Sequence, residues 1–320
     1  MKICLFDPGI ENNDKSPSLN LGDLIIQEAV HRELANVFDN PDLLSISTHT
    51  FLEKEQIRVM KNNSLIFVGG TNLLSSKMNK YRQWKISLLN SFQIKNVILF
   101  GVGWWQYQTN PNFYTQFILR SVLSNKIYHS VRDNYTMLKL ESMGIKNVLN
   151  TGCPTMWPLS KVNSAQIPTI KSENVLLMLT DYTQKFELDK KLIELLLSQY
   201  KKVFVWPQGR NDLKYILKFN QPLNILEHSL KDLDDFIKSG VEFDYIGTRL
   251  HGGIRCLLAK KRSLILEVDN RAKEIAIDTG IPTSSRNDFD FINNWINKPQ
   301  STNIKLNEKA INQWKNQFNN

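Results

Sequence analysis

The chain alternates short, wholly apolar runs with longer amphipathic stretches almost throughout, and few architectures accept that pattern. An apolar run without polar alternation is a strand covered on both faces. An amphipathic stretch between two such strands is a crossover helix. Repetition of the pair builds βα units around a parallel sheet. In the first half, strands are expected at Lys2–Phe6, Leu43–Ser47, Ser64–Val68, Asn96–Phe100 and Ile127–Ser130, with a shorter one at Val148–Thr151. Helices are expected at Leu24–Phe38, Tyr81–Phe92, Phe113–Leu123 and Tyr135–Met143, the last with Asp133 as N-cap and Gly144 as its stop.

The strand signal fades after Pro154-Thr155-Met156-Trp157-Pro158, and the polar segment 159–172, with Pro168, reads as a linker. The pattern then restarts. Strands are expected at Val175–Leu179, Val203–Trp206, Leu223–Leu226, Phe243–Ile246 and Ser263–Leu266. Helices are expected at Lys190–Tyr200, Asp212–Phe219, Leu230–Ser239, Ile254–Ala259 and Ala272–Thr279. Residues 1–158 and 173–304 thus form two βα-rich domains, which 320 residues are enough to build. In the tail, 305–320, Leu306, Ala310, Trp314 and Phe318 fall at helical intervals. That stripe is expected to pack as core and is suited to bracing the first half. Parallel sheets of this kind take ligands at the carboxyl ends of their strands, so two of them are expected to face a central cleft across which the strand-end loops hold the chemistry.

The composition, 42% hydrophobic and 22% charged, is that of a soluble globular protein. The net charge of +9 suits an anionic substrate, an anionic membrane surface or nucleic acid. The cations are scattered and no nucleic-acid motif is present, which ranks nucleic acid last. Cys4, Cys153 and Cys256 are odd in number and far apart, so neither a disulfide framework nor a zinc cage is expected. The opening residues read as a first strand rather than a signal segment, and no apolar run reaches the roughly 18 residues of a membrane span. The expected compartment is a reducing cytoplasm.

One strand-end loop concentrates reactive groups: Tyr245-Ile246-Gly247-Thr248-Arg249-Leu250-His251-Gly252-Gly253. With the helix expected to start near Ile254, the loop offers unpaired N–H groups and partial positive charge to an anion. Arg249 adds a planar fork that matches carboxylate or phosphate, and His251 adds a proton donor that works near neutral pH. Alternation along an extended loop places Arg249 and His251 on one side. A surface Arg and a helix-capping His are the plain alternative.

Asn20-Leu21-Gly22-Asp23, Gly69-Gly70-Thr71-Asn72 and Gly101-Val102-Gly103-Trp104-Trp105 are further strand-end loops where backbone can approach a ligand, or simply turn tightly. Ser130-Val131-Arg132-Asp133 aims a second Arg from a strand end, with Asp133 serving as helix cap or as acid. Trp206-Pro207-Gln208-Gly209 and Glu267-Val268-Asp269-Asn270-Arg271 complete the set. His31, His49, His129 and His228 lack ligand spacing and read as structural or surface residues. No HExxH, DxD, GxSxG or P-loop pattern occurs.

In this order, Asn20-x-Gly22-Asp23, Gly69-Gly70, Gly101-x-Gly103, Val131-Arg132-Asp133, Gly247-Thr248-Arg249-Leu250-His251-Gly252 and Asp269-x-Arg271 resemble the polysaccharide pyruvyl transferase family over roughly residues 3–281. Two departures stand out: the family's acidic stretch is replaced by Gly152-Cys153-Pro154-Thr155-Met156-Trp157, and Arg271 stands where Lys is usual. The resemblance implies two Rossmann-like domains similar to the GT-B glycosyltransferases. It also implies transfer of a pyruvyl group from phosphoenolpyruvate, as co-substrate, onto two hydroxyls of a sugar in a cell-surface polysaccharide or its lipid-linked precursor. No metal or other cofactor is implied.

Under that resemblance Arg132 and Arg249 hold the donor, together with Leu250, Gly22, Gly70, Gly103, Gln208 and Arg271. His251 protonates the donor's methylene carbon, and Asp23, Asp133 or Asp212 handles the attacking hydroxyl. A lipid-linked acceptor implies peripheral attachment at the inner face of the plasma membrane. Two alternatives carry the same fold: a glycosyltransferase using a nucleotide-sugar or lipid-linked donor, and a non-catalytic anion-binding relative.

Overall fold

A computed structural model describes residues 1–62 and 65–319. Its contacts separate two units. The first holds Met1–Ser18, Asp23–Trp157 and the tail from Leu306; the second holds Leu19–Gly22 and Pro158–Lys305.

In the first unit the elements are β1 (Lys2–Asp7), α1 (Leu21–Phe38), β2 (Asp42–Ser47), α2 (Lys54–Lys61), β3 (Leu65–Gly69), α3 (Leu88–Gln93), β4 (Val97–Phe100), α4 (Phe113–Val122), β5 (His129–Val131), α5 (Asn134–Glu141) and β6 (Val148–Asn150). The expected start of the third strand, Ser64, lies outside the described residues. The sheet runs β2-β1-β3-β4, all parallel, and β5 pairs with β6. Two backbone bonds tie β5 to the end of β4: Gly101 N to Ser130 O at 2.9 Å and Arg132 N to Val102 O at 3.1 Å. An imidazole supplies a third link, with Leu99 N–H donating to His129 Nδ1 at 3.2 Å. The chain reverses direction across the sheet between β1 and β3, the position where open α/β sheets leave a crevice.

The apolar runs are strands because both sheet faces are covered: Ile3, Cys4, Leu5, Phe67, Val68, Ile98 and Leu99 are fully buried. The C-terminal helix, Glu308–Asn316, closes one face. Trp314 stacks on Phe100 with centroids 4.4 Å apart and meets Trp157 edge-on, while Lys315 pairs with Glu33 at 2.6 Å. The helix expected from Tyr81 begins only at Leu88. Ser87 caps it by accepting from Asn90 N, and the preceding Trp84 and Ile86 are buried alternately in irregular chain.

The second unit comprises β7 (Asn174–Met178), α6 (Phe186–Gln199), β8 (Lys202–Val205), α7 (Asp212–Ile216), β9 (Asn224–Ile225), α8 (Leu230–Lys238), β10 (Phe243–Gly247), α9 (Leu250–Leu258), β11 (Ser263–Glu267), α10 (Asn270–Thr279), β12 (Thr283–Ser285) and α11 (Phe289–Asn297). Its sheet is parallel throughout, in the order β12-β11-β10-β7-β8-β9. Read from β9, this is the doubly wound Rossmann order, with its switch point between β7 and β10.

The helix after β10 corrects the sequence reading. It starts at Leu250, not near Ile254, so His251, Gly252 and Gly253 form its first turn. The glycines that suggested a loop are there for packing. A Cβ on Gly252 would lie 2.3 Å from Met178 Sδ, and one on Gly253 would lie 2.7 Å from Ile265 Cγ1 and Tyr245 Cε1. Only glycine lets this turn sit so close to β7, β10 and β11.

Candidate functional site

In the first unit, four loops at strand carboxyl ends meet around Arg132. The residue is buried, at 1% exposure. Its Nη2 donates to Asn72 Oδ1 at 2.7 Å and its Nε to Asp133 Oδ2 at 3.3 Å, whereas Nη1 is buried without a hydrogen-bond partner. Gly103 forms the floor: a Cβ there would fall 2.1 Å from Nη2. Gly70 backs onto the Gly101 carbonyl and shapes the same wall. A guanidinium taken out of water with one amino group unsatisfied costs several kcal/mol, roughly, unless an anion completes its bonding.

Asp133, expected either as acid or as cap, is the cap. Its Oδ1 accepts from Thr136 N at 2.8 Å and Thr136 Oγ1 at 2.6 Å, and its Oδ2 takes the Arg132 bond. A fully buried carboxylate with both oxygens engaged orients Arg132 and starts α5, and leaves the deprotonating role without support at this residue. Asp23 lies in the first turn of α1, half-buried, with its Oδ2 accepting from Ser18 Oγ at 3.2 Å. Burial pushes the nearby Cys153 thiol above its ordinary pKa, so it is no nucleophile.

Asp7, the last residue of β1, went unnoticed in the sequence. It is fully buried and accepts from Gly9 N at 2.9 Å, Gln27 Nε2 at 2.9 Å and Ser45 Oγ at 2.9 Å, and lies 2.8 Å from His31 Nε2. Burial pulls its pKa upward, but the hydrogen bonds from His31 and Gln27, the His31 charge and the Gly9 N–H outweigh that and hold it below the usual carboxylate value.

In the second unit the cluster is built on Asp212. This buried carboxylate accepts from three backbone N–H groups: Gln208 at 3.1 Å, Gly209 at 2.7 Å and Asp181 at 2.9 Å. It also takes the Nε–Nη2 edge of Arg249, with Nε at 2.9 Å and Nη2 on the other oxygen. The Nη2 group is shared with Asp181 Oδ1 at 3.3 Å. The fork read as an open anion clamp is therefore half-engaged by a carboxylate of its own unit, and Nη1 makes no hydrogen bond among the described residues. Tyr182 stands between two cations, with its ring 5.1 Å from Arg249 Cζ and 5.8 Å from Arg271 Cζ. Arg271 donates to the Tyr182 hydroxyl and grips Asp269, the N-cap of α10, through Nε at 2.9 Å and Nη2 at 2.6 Å.

Leu19–Gly22 joins this unit. Leu21 N donates to Gln208 O at 2.9 Å, Gln208 Nε2 to Asn20 Oδ1 at 3.3 Å, and Gly22 lies directly against the Gln208 amide. Two loops flagged separately in the sequence, Asn20–Gly22 and Gln208, are thus one feature. Gln208 Oε1 is buried without a partner beside the first turn of α9. Leu250 and His251 open that turn, both buried. Arg249 is its N-cap residue, so Arg249 and His251 do not alternate along an extended loop; positions two apart on a helical turn face different ways.

Asp181 and Tyr182 were missed along with Asp7, and Asn72, though inside a flagged loop, was given no role of its own. All four sit at or just beyond a strand's carboxyl end, and that position was the available signal. Among the described residues, no three His, Cys, Asp or Glu side chains are grouped to hold a metal ion, and no helix is long and apolar enough to cross a membrane.

Comparison with known proteins bears on the site's identity. The family model "Polysaccharide pyruvyl transferase" matches residues 20–270. The chain is similar in structure to UDP-GlcNAc 2-epimerase of Methanocaldococcus jannaschii, solved with UDP-GlcNAc and UDP (TM-score 0.52, 13% identity, 97% of each chain covered). A second solved structure, S. aureus MnaA with UDP, scores 0.49 at 12% identity, covering 98% of this chain and 90% of that one. No curated protein matches in sequence. The first likeness shows the fold, mixed α/β with parallel sheets of the GT-B type.

Proposed function

The chain belongs to the polysaccharide pyruvyl transferase family, and from that premise we propose that it moves the pyruvyl group of phosphoenolpyruvate onto two hydroxyls of one sugar, closing a cyclic ketal and releasing phosphate. The acceptor is a cell-surface polysaccharide unit or its lipid-linked precursor, modified on the cytoplasmic side. Protonation of the donor's methylene carbon turns it into a methyl group and leaves an oxocarbenium-like centre at the neighbouring carbon. One sugar hydroxyl adds there and loses its proton. The second hydroxyl adds to the same carbon and loses its proton as the C–O bond to phosphate breaks, and the phosphate departs with that bond's electron pair.

The observation that carries this reading is the Arg132 guanidinium, buried with Nη1 unpartnered and fixed by Asn72 and Asp133. A small dianion that brings its own carboxylate or phosphate oxygen matches that deficit. Arg249, held by Asp212 along its Nε–Nη2 edge, keeps Nη1 without a hydrogen bond among the described residues. His251 is assigned the proton donation, and Leu250 and Gly22 backbone, Gly70, Gly103, Gln208 and Arg271 the substrate contacts. With Asp133 committed to its cap, Asp23 is the carboxylate left from the family pattern to orient the hydroxyl.

Thermal unfolding with added ligand tests the donor assignment, because a ligand bound only by the folded state raises the melting temperature. Phosphoenolpyruvate is expected to stabilise the wild type. Arg132→Lys, which keeps the charge but loses the fork, is expected to weaken donor binding by about 2 kcal/mol or more. Stabilisation by UDP-sugars and none by phosphoenolpyruvate would overturn the assignment.

A further inference from the structure

We propose that the face of the first unit formed by α2, α3 and α4 docks on an anionic lipid surface. The inference stands on this face alone and does not depend on the reaction assigned above.

The charge is segregated. Between Glu55 and Asp133 the chain has no acidic residue and ten lysines and arginines, more positive charge than the whole chain's net of +9. Only Arg132 among the ten is buried; the other nine are exposed or half-exposed. A cavity lined by Lys61, Gln93 and Lys95 joins α2 to the end of α3, which places cations from both segments on one face.

Large apolar side chains stand out from the same face. Phe113 is 91% exposed, Leu89 74% and Phe92 61%, with Leu88 and Phe117 also exposed. Leu88 and Phe92 share a side of α3, and Phe113 and Phe117 a side of α4. The two helices pack together, and Phe92 meets Phe117 at 5.6 Å. These residues are not core that failed to close. The inner side of α4 is complete with Thr115, Ile118, Leu119 and Val122, so its two phenylalanines form a second apolar side facing outward.

Soluble proteins rarely expose so many large apolar groups together. A nucleic-acid groove needs the cations but not protruding Leu and Phe at the ends of helical turns. A protein-binding rim mixes charges of both signs. Rings and leucines amid lysines and arginines, with Glu55 in the first turn of α2 the one acid of the three helices, suit the boundary of an anionic bilayer. There the apolar groups enter the headgroup layer and the cations gain about 1 kcal/mol each near the surface.

The full chain is to be sedimented with vesicles of phosphatidylcholine alone or mixed with phosphatidylglycerol, at low and high salt. Expected are partition onto the anionic vesicles only, weakening with salt, and a loss of roughly tenfold or more in Phe92→Ser/Phe113→Ser and in Lys61→Glu/Lys95→Glu. All four positions are exposed, so unchanged melting checks that the variants fold. Phe113→Trp is expected to shift its emission to the blue on the vesicles. Wild type remaining in the supernatant overturns the proposal, as does vesicle binding that the phenylalanine variant retains in full. Equal binding to soluble polyphosphate, independent of the phenylalanines, overturns it in favour of a soluble polyanion.

Discussion

Lowering the pH from about 7 to about 4 is expected to cost the folded protein about 3 kcal/mol through one imidazole, that of His129. The ring is fully buried on β5, three residues before Arg132. Its Nδ1 accepts from Leu99 N–H at 3.2 Å and its Nε2 faces Ser124 O at 2.9 Å, so the neutral ring with hydrogen on Nε2 fits. A second proton would set N–H against N–H. Burial lowers the pKa from 6.5 to about 4, the bond to Ser124 O working weakly in the opposite direction. In the unfolded chain the same ring titrates near 6.5. Between the two values the unfolded state binds a proton that the folded state refuses. The contribution is therefore complete above about 6.5 and lost progressively down to about 4; at about 1.36 kcal/mol per pH unit it amounts to about 3 kcal/mol.

Urea unfolding of wild type and His129→Gln across that range isolates the effect, because carboxylate titrations common to both cancel in the difference. The variant is expected to be weaker at neutral pH by about 1–3 kcal/mol, the range for a disturbed buried hydrogen bond, and its deficit is expected to vanish or reverse on acidification. A difference that stays constant from about pH 7 to about pH 4 would refute the reasoning. Donor binding is expected to decay in the same window, since β5 carries Arg132.

Gly103→Ala drives a Cβ into a guanidinium pinned by Asn72. A loss of about 1–3 kcal/mol in stability is expected in thermal unfolding, with weaker phosphoenolpyruvate binding by calorimetry. Asp212→Asn leaves the buried Arg249 with only the longer 3.3 Å contact to Asp181 as a charged partner; about 3 kcal/mol is expected to be lost, and Arg249→Met placed on top is expected to recover part of it. His251→Ala is expected to retain donor binding and lose turnover by at least about a hundredfold, and normal turnover would remove His251 as the acid.

The sheets were legible because their strands are apolar on both faces: Leu176-Leu177-Met178 and Val97-Ile98-Leu99 can be little else. Asp133 was legible as a cap from its place between a strand and an amphipathic run. The start of α9 was not, because Gly252 and Gly253 look alike whether they loosen a loop or admit a neighbouring strand. β12 is three small polar residues and carries no strand pattern, whereas α2 and α11 were overlooked although their apolar residues recur at helical spacing, because each is only eight or nine residues long. Strand-end position flagged the loop of Asn72 and could have flagged Asp181 and Tyr182, but their roles depend on partners far away in sequence: Arg132 for Asn72, Arg249 for Asp181, and Arg249 with Arg271 for Tyr182. The pairing of Asn20 with Gln208 was hidden for the same reason.

Proton and carbon NMR of the wild-type protein in heavy water, with carbon-13-labelled phosphoenolpyruvate and a panel of pyranosides, tests the central claim most directly. The account predicts a ketal methyl signal carrying one deuterium, growing in step with free phosphate and only when an acceptor is present. Unchanged donor with every acceptor, or free pyruvate appearing without a ketal, would contradict it.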